Sequence, residues 1–352
     1  MAETKRSPIT FPLRGLSEDV RLVVFDQMFL VHSITLKSHS SFFRTFLKPS
    51  GSSETASKQI QYEYGSVVDD DGSWGLQKSS QIPHETHSKK SDQEAAAETS
   101  AFAILLHACY GKRYSLSSVD ELQRVVKLAD YYCCLPILST SLDANMQSSV
   151  KFTAMIPHEA EIILPLACAA RAPLLFREAF IHVVGKSWLT RSCTKQKYEK
   201  SLAMLIQVHQ GKLDARAVEA LEGLLNPRGL KCTSQYTFEQ IQVAGGMVRR
   251  MIERELSKRG HRLDIRYKAH FYRSLYHCQS TPDPSVARQK TSENESLDLA
   301  RKMVQQSLGP LLEDCSVLDS GRSSPGDPEW SYFLCTRLPD DELPWDQDQT
   351  DW

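Results

Sequence analysis

Asp19-Val20-Arg21-Leu22-Val23-Val24-Phe25 and Met28-Phe29-Leu30-Val31-His32, separated by only Asp26-Gln27, are the residues that most constrain how this chain folds. Val20, Leu22 and Val24 alternate with Arg21, Val23 and Phe25, so both faces turn apolar towards the end of the run, the pattern of a strand covered on both sides. Asp26-Gln27 reads as the two-residue turn of a hairpin, because Asp tolerates a positive φ. Behind the second strand, Ser40 or Ser41 can cap a short helix whose Phe43, Phe46 and Leu47 fall at i, i+3 and i+4. Ile60, Tyr62 and Tyr64 alternate with polar residues up to Asp69-Asp70-Asp71-Gly72, and Ser73-Trp74-Gly75-Leu76 continues beyond, which describes a second hairpin with a Gly-containing loop.

Helical spacing takes over downstream. Phe102, Leu105, Leu106 and Cys109 form one apolar stripe. Ser118-Val119-Asp120-Glu121 has the capping-box spacing, ahead of Leu122, Val125, Val126 and Ala129. Pro136 opens a further helix with Leu138, Leu142 and Met146 on one side. Two hairpins with several short helices imply an α+β domain over residues 17–147, helices packed on a small sheet, after an N-terminal segment 1–16. Residues 77–98, crowded with Ser, Lys, Gln, His and Glu, read as a flexible insertion within it.

Over residues 17–147 these blocks resemble the BTB/POZ family, and more closely the fungal members in which a helical C-terminal half follows. Asp19, His32, Leu36, Ser40, Phe43, Tyr110, Tyr114, Ala129, Asp130 and Tyr132 stand where the family pattern has matching residues. The resemblance implies a domain that holds other proteins, by self-association or on a cullin scaffold, with Asp19, His32, Phe43, Phe46, Tyr110 and Tyr114 as interaction candidates. Departures are informative. Ser33 stands where dimeric animal members place a basic residue beside the Asp, Tyr110-Gly111-Lys112 replaces the family's Tyr-Thr-Gly, and Leu47-Lys48-Pro49 replaces the apolar-x-Glu of cullin-binding members. Pro8 and Pro12 leave little room for an extra helix and exchanged strand, so a monomer or weak self-association is expected.

The remainder reads as an all-α domain over 148–275, a linker and helix over 276–312, and an acidic tail over 313–352. Pro157-His158-Glu159-Ala160-Glu161 is expected to open a helix, and Pro165 to kink or divide it. Phe176, Phe180, Val183 and Val184 share one side of the next, and helical patterns cover about 198–225, 236–260 and 293–312. This stretch too, through about residue 188, resembles the helical segment of the fungal group.

The formal net charge of −1 conceals an uneven distribution. Val248 to Arg273 holds nine Lys or Arg against three acidic residues, with Tyr267, Phe271 and Tyr272 interleaved. Arg249, Arg250 and Arg254 there are the candidates for phosphate contact, the alternative reading being a nuclear regulator that touches nucleic acid; the other reading is a solvated helix face. Leu311 to Trp352 holds eleven acidic residues against Arg322 and Arg337. Its Trp345 and Trp352 read as anchors to be received by a partner groove or by the chain's own basic helices, the other reading of the tail being a solvated disordered end.

No catalytic constellation accompanies these features. His84 and His87 lack further ligands at metal spacing, Cys133-Cys134 is adjacent rather than C-x-x-C, and no phosphate loop or nucleophile elbow occurs. Neither an apolar run of membrane length nor an N-terminal apolar leader is present, and nine scattered Cys read as reduced thiols of a cytoplasmic or nuclear protein. The expectation is a non-enzymatic protein-interaction module without cofactor or metal, in its most concrete form a ubiquitin-ligase adaptor.

Overall fold

A computed structural model describes residues 7–47, 60–81, 90–186, 198–257, 268–277, 291–318, 334–349 and 352. The chain divides into two compact units, one of Met1–Met155, Pro165–Leu175 and Asp346–Trp352, the other of Ile156–Leu164 and Phe176–Trp345.

The first unit is built on a five-stranded mixed sheet in the order β1-β3-β2-β4-β5, with β1 Ile9–Thr10, β2 Val20–Val24, β3 Gln27–Val31, β4 Tyr62–Val68 and β5 Trp74–Lys78. Both expected hairpins are present, β2 antiparallel to β3 and β4 antiparallel to β5, and β2 joins them by pairing parallel to β4. Val20, Leu22 and Val24 are buried while Arg21 and Val23 are half-buried, so burial alternates along the whole of β2 and one face dominates. The first turn sits one residue earlier than expected. Phe25, not Asp26, takes the left-handed conformation at φ 52°. Tertiary contacts outweigh the strain there: the Phe25 ring tilts against Trp74 at 5.3 Å and its N–H donates to Ser66 Oγ at 2.8 Å.

The segment before β2 also carries more structure than its prolines imply. Ile9 and Thr10 pair parallel with Phe29 and Leu30, and the Phe11 N–H donates to the Leu30 carbonyl at 3.0 Å. Pro8 and Pro12 flank this contact, so their missing N–H groups are not called on.

Helices α1 (Ser33–His39), α2 (Ser41–Phe46), α3 (Asp92–Cys109), α4 (Val119–Tyr131) and α5 (Leu135–Met146) complete the unit's N-terminal part. Phe102, Leu105, Leu122, Val125, Leu138 and Leu142 are buried, as their spacing predicts. Ser118 caps α4 by accepting the Glu121 N–H, while the Glu121 carboxylate takes the Ser117 N–H and hydroxyl. The stretch expected as an insertion is shorter than 77–98. Gln77 and Lys78 end β5, and Ser91 caps α3, whose first turn carries Asp92 and Glu94. His84 and His87 lie outside the described residues.

Helix α6 spans Val150–Ala169 without a break, and both Pro157 and Pro165 lie inside it, against the expectation of a start at one and a division at the other. It begins at Ser149, whose carbonyl takes the Thr153 N–H at 2.9 Å. Helix α7 covers Pro173–Lys186. In the second unit α8 (Lys200–Leu225), α9 (Phe238–Ser257), α10 (Lys268–His277) and α11 (Thr291–Leu308) follow, α11 packing on both α8 and α9. The chain is therefore α+β, a five-stranded mixed sheet with helices followed by a largely helical region. Among the described residues no helix is long and apolar enough to cross a membrane.

Candidate interaction surfaces

The sequence-derived sites at the start of the first unit prove to be internal supports. Asp19 turns its carboxylate to Ser33, accepting the N–H at 2.7 Å and the hydroxyl at 2.5 Å. This satisfies a first-turn donor of α1 that has no helical partner. His32 is buried, its Nδ1 at 3.1 Å from the Tyr110 hydroxyl and its Nε2 at 3.4 Å from the Leu16 carbonyl, while its backbone N–H donates to the same hydroxyl at 2.7 Å. Burial pushes the Tyr110 phenol up to about 12 despite the His32 N–H and Thr35. Tyr114 is buried likewise, pushed to about 12, its hydroxyl beside Ser141 and its N–H on Asn145. Asp19, His32, Tyr110 and Tyr114 form no exposed patch together.

Helix α2 divides its aromatics differently from the expected i, i+3, i+4 face. Phe43 and Leu47 are buried, but Phe46 is 55% exposed. The helix is six residues long and ends at Phe46, so Phe42 and Phe46, one turn apart, share its outer side. Their rings stack at 4.5 Å, and Tyr131 at the end of α4, 54% exposed, lies 5.8 Å from Phe42. Phe42, Phe46 and Tyr131 thus make a shelf of aromatic surface resting on the buried Phe43 and Tyr132, to which Phe42 turns its edge. The sequence signal for it was the i, i+4 spacing of Phe42 and Phe46.

Tyr131 also borders a cleft of about 380 Å³ lined by Trp74, Lys90, Glu98, Asp120, Arg124 and Lys127 among others. Glu98 is buried on its floor, accepting from Trp74 Nε1 at 3.0 Å and from Arg124, with Lys90 at 3.6 Å. Gly75 permits the approach of Tyr131 to β5, since a Cβ there would stand 2.7 Å from the tyrosine hydroxyl. Shelf and cleft therefore form one continuous surface, apolar at one end and charged at the other.

Trp352 belongs to the first unit as well, half-buried under the Arg171 guanidinium, which stacks over its ring at 4.3 Å. Gln349 accepts from the same guanidinium at 3.0 Å.

In the second unit the acidic segment 334–345 docks on the chain itself. Trp345 is half-buried with its edge on Phe176 at 5.1 Å, and Leu343 is buried. Asp340 pairs with Arg177, and Glu342 accepts from Lys212 at 2.7 Å and meets His209 Nε2 at 2.5 Å, while Thr336 stands on the other ring nitrogen at 3.1 Å. The receiving helices are α7 and α8. From the stretch 249–273, expected as one receiver, Arg249, Arg250 and Arg254 are exposed on α9, residues 258–267 lie outside the described residues, and Phe271, Tyr272 and Arg273 are buried. Phe271 and Tyr272, two of the aromatics that would stack on bases, are thus core residues.

Glu178, His182 and His209 were not singled out by sequence reasoning. Glu178 and His182 are wholly buried at 3.3 Å, and Glu178 also accepts the Val317 and Leu318 N–H groups. Burial works against the Glu178 carboxylate, but His182 and the two backbone donors outweigh it and hold the group below the ordinary carboxylate range. Burial lowers the His209 imidazole; Glu342 draws it back up in part and Lys212 opposes that. A histidine depressed in the native state contributes stability that is complete above its unfolded value of about 6.5 and lost as pH falls through the lower native one. Amide exchange across 334–343, corrected for the intrinsic rate, is therefore expected to accelerate as pH falls below about 6.5, and His209→Gln to flatten that dependence.

Among the described residues no group of three or more His, Cys, Asp or Glu side chains is placed to hold a metal. No protein-family model matches the chain, and no curated protein and no solved structure matches it.

Proposed function

We propose that this chain is a non-enzymatic protein-interaction module whose first unit is BTB/POZ-like and receives its partner on the surface formed by Phe42, Phe46, Tyr131 and the adjoining cleft. The observation that carries the proposal is the exposure of that aromatic shelf: Phe46 and Tyr131, each more than half exposed, both packed on the ring of Phe42. Aromatic side chains concentrate binding energy at interface centres, and a rim of charge such as Lys90, Asp120 and Lys127 orients the encounter. The motif resemblance over residues 17–147 and the mixed sheet with its helices support the BTB-like part.

An adaptor of a cullin-type ubiquitin ligase is the most concrete version. Leu47-Lys48-Pro49 stands in place of the apolar-x-Glu of cullin-binding members, so in that version the scaffold would be held on the aromatic shelf.

Phe46→Glu and Tyr131→Glu alter exposed side chains and leave the core intact. Each is expected to weaken partner capture by at least 2 kcal/mol, about thirtyfold, in affinity purification with quantitative mass spectrometry, at an unchanged melting temperature. Retention of every partner by the double variant would remove the shelf as the site. Gly75→Ala, which displaces Tyr131, is expected to give a smaller loss in the same direction.

A further inference from the structure

The outward face of α8 is apolar where a surface helix should be polar. Leu202, Ile206, Leu213, Ala217 and Leu224 point into the second unit and are buried. On the opposite side Met204, Val208, Val218 and Leu225 are 59%, 49%, 63% and 58% exposed. Gly211, Ala215 and Glu222, also exposed, fill the intervening positions, so this outer stripe advances by alternate steps of four and three from 204 to 225. That is the spacing of the heptad seam of a two-helix coiled coil, repeated over three heptads on one uninterrupted helix.

We infer that this stripe is a self-association surface, on which α8 of a second copy packs antiparallel about a two-fold axis crossing near Arg216 and Ala217. The choice of occupant rests on self-complementarity. In the antiparallel register Val208 meets Leu225 of the second copy, Ala215 meets its Val218, and Gly211 makes room for the stem of its Glu222. Lys212, beside the seam, faces Glu219 of the second copy, and the symmetry produces that pair twice. Lys212 already gives two hydrogen bonds to Glu342 in its own chain, which leaves one ammonium donor for this contact. A parallel pairing would instead set Asp214 against Glu219 across the seam, two like charges. In this register the paired seam runs from Val208 to Leu225, about 26 Å at 1.5 Å per residue, and Met204 lies beyond it. One helix on one helix buries less than the roughly 800 Å² per partner of a standard stable interface, so the dimer is weak and forms at high micromolar concentration.

Sedimentation velocity on the full chain across the micromolar to sub-millimolar range tests this. The expected result is a reversible monomer–dimer equilibrium that Val218→Asp weakens at least about tenfold, the side chain being exposed in the monomer. Mixed Val208→Cys and Leu225→Cys chains are expected to yield the 208–225 cross-linked peptide under mild oxidation, whereas neither variant alone links its own introduced cysteine to itself. A chain that stays monomeric throughout, a dimer indifferent to Val218→Asp, or self-linking of either single variant would overturn the inference.

Discussion

Replacing Phe43 by alanine is expected to destabilise the first unit by about 3–5 kcal/mol, the cost of emptying a buried aromatic site. Phe43 is 4% exposed and lies flat on Tyr132, ring centroids 5.5 Å apart and planes 5° from parallel. Ser40 ties the same two elements together, its oxygen accepting the Phe43 N–H at 3.0 Å and its hydroxyl donating to the Tyr132 carbonyl at 2.6 Å. A helix of only six residues has little stability of its own, so it is held by that ring and that hydroxyl. The variant should therefore unfold at much lower denaturant, and before complete unfolding it should lose the ordered Phe42–Phe46 shelf. An unchanged unfolding profile would mean that the inner face of α2 has been misassigned.

The second large effect is expected at Glu178. Alanine there removes the acceptor of the Val317 and Leu318 N–H groups and the partner of the buried His182, and stripping the partner from a buried, hydrogen-bonded pair of this kind typically costs about 3–5 kcal/mol. Glu178→Gln preserves shape and one oxygen, and should cost less. The pH dependence separates the carboxylate from its shape. A carboxyl depressed in the native state contributes stability above its unfolded value of about 4.3 and loses it as pH falls through the lower native value. Glu178→Gln should therefore flatten the acid side of the stability profile, and limited proteolysis of Glu178→Ala should cut first around residues 313–318. Equal stability of both variants to the parent at neutral pH would show that the Val317 and Leu318 amides find other acceptors.

What could be read in the sequence follows the range of the interactions involved. The alternation of Val20, Leu22 and Val24, the helical spacing of Leu122, Val125 and Ala129, and the Ser118–Glu121 cap are set within one or two turns of chain, and all are present in the fold. The first turn slipped by one residue because Trp74 and Ser66, over forty positions away, hold Phe25 in a conformation its own propensity disfavours. Helix α2 misled for a different reason. Phe43 and Leu47 are inside as their spacing implies, but the helix is only six residues long and ends at Phe46, whose ring stacks outward on Phe42 instead of joining that face. Pro157 reads as a helix start and Pro165 as a kink or division, yet α6 begins before the first and runs undivided through the second, its apolar Phe152, Ile156, Ile163 and Ala167 fully buried. Glu178 and His209 were illegible because the groups that give them purpose come from more than 130 residues downstream. The sheltering of Trp345 was foreseen from the cost of leaving an indole among carboxylates, but its receiver is Phe176 on α7 rather than the basic stretch near Arg249.

Partners are proposed to be held on the aromatic shelf and cleft of the first unit. Hydrogen–deuterium exchange of the chain with and without a captured partner, read peptide by peptide, tests it most directly. The account predicts slowed exchange confined to Ser41–Leu47, the turn before Trp74, and the end of α4 from Gln123 to Tyr131. A footprint that leaves those segments unchanged while protecting the outer face of α9 around Arg249, Arg250 and Arg254 would contradict it.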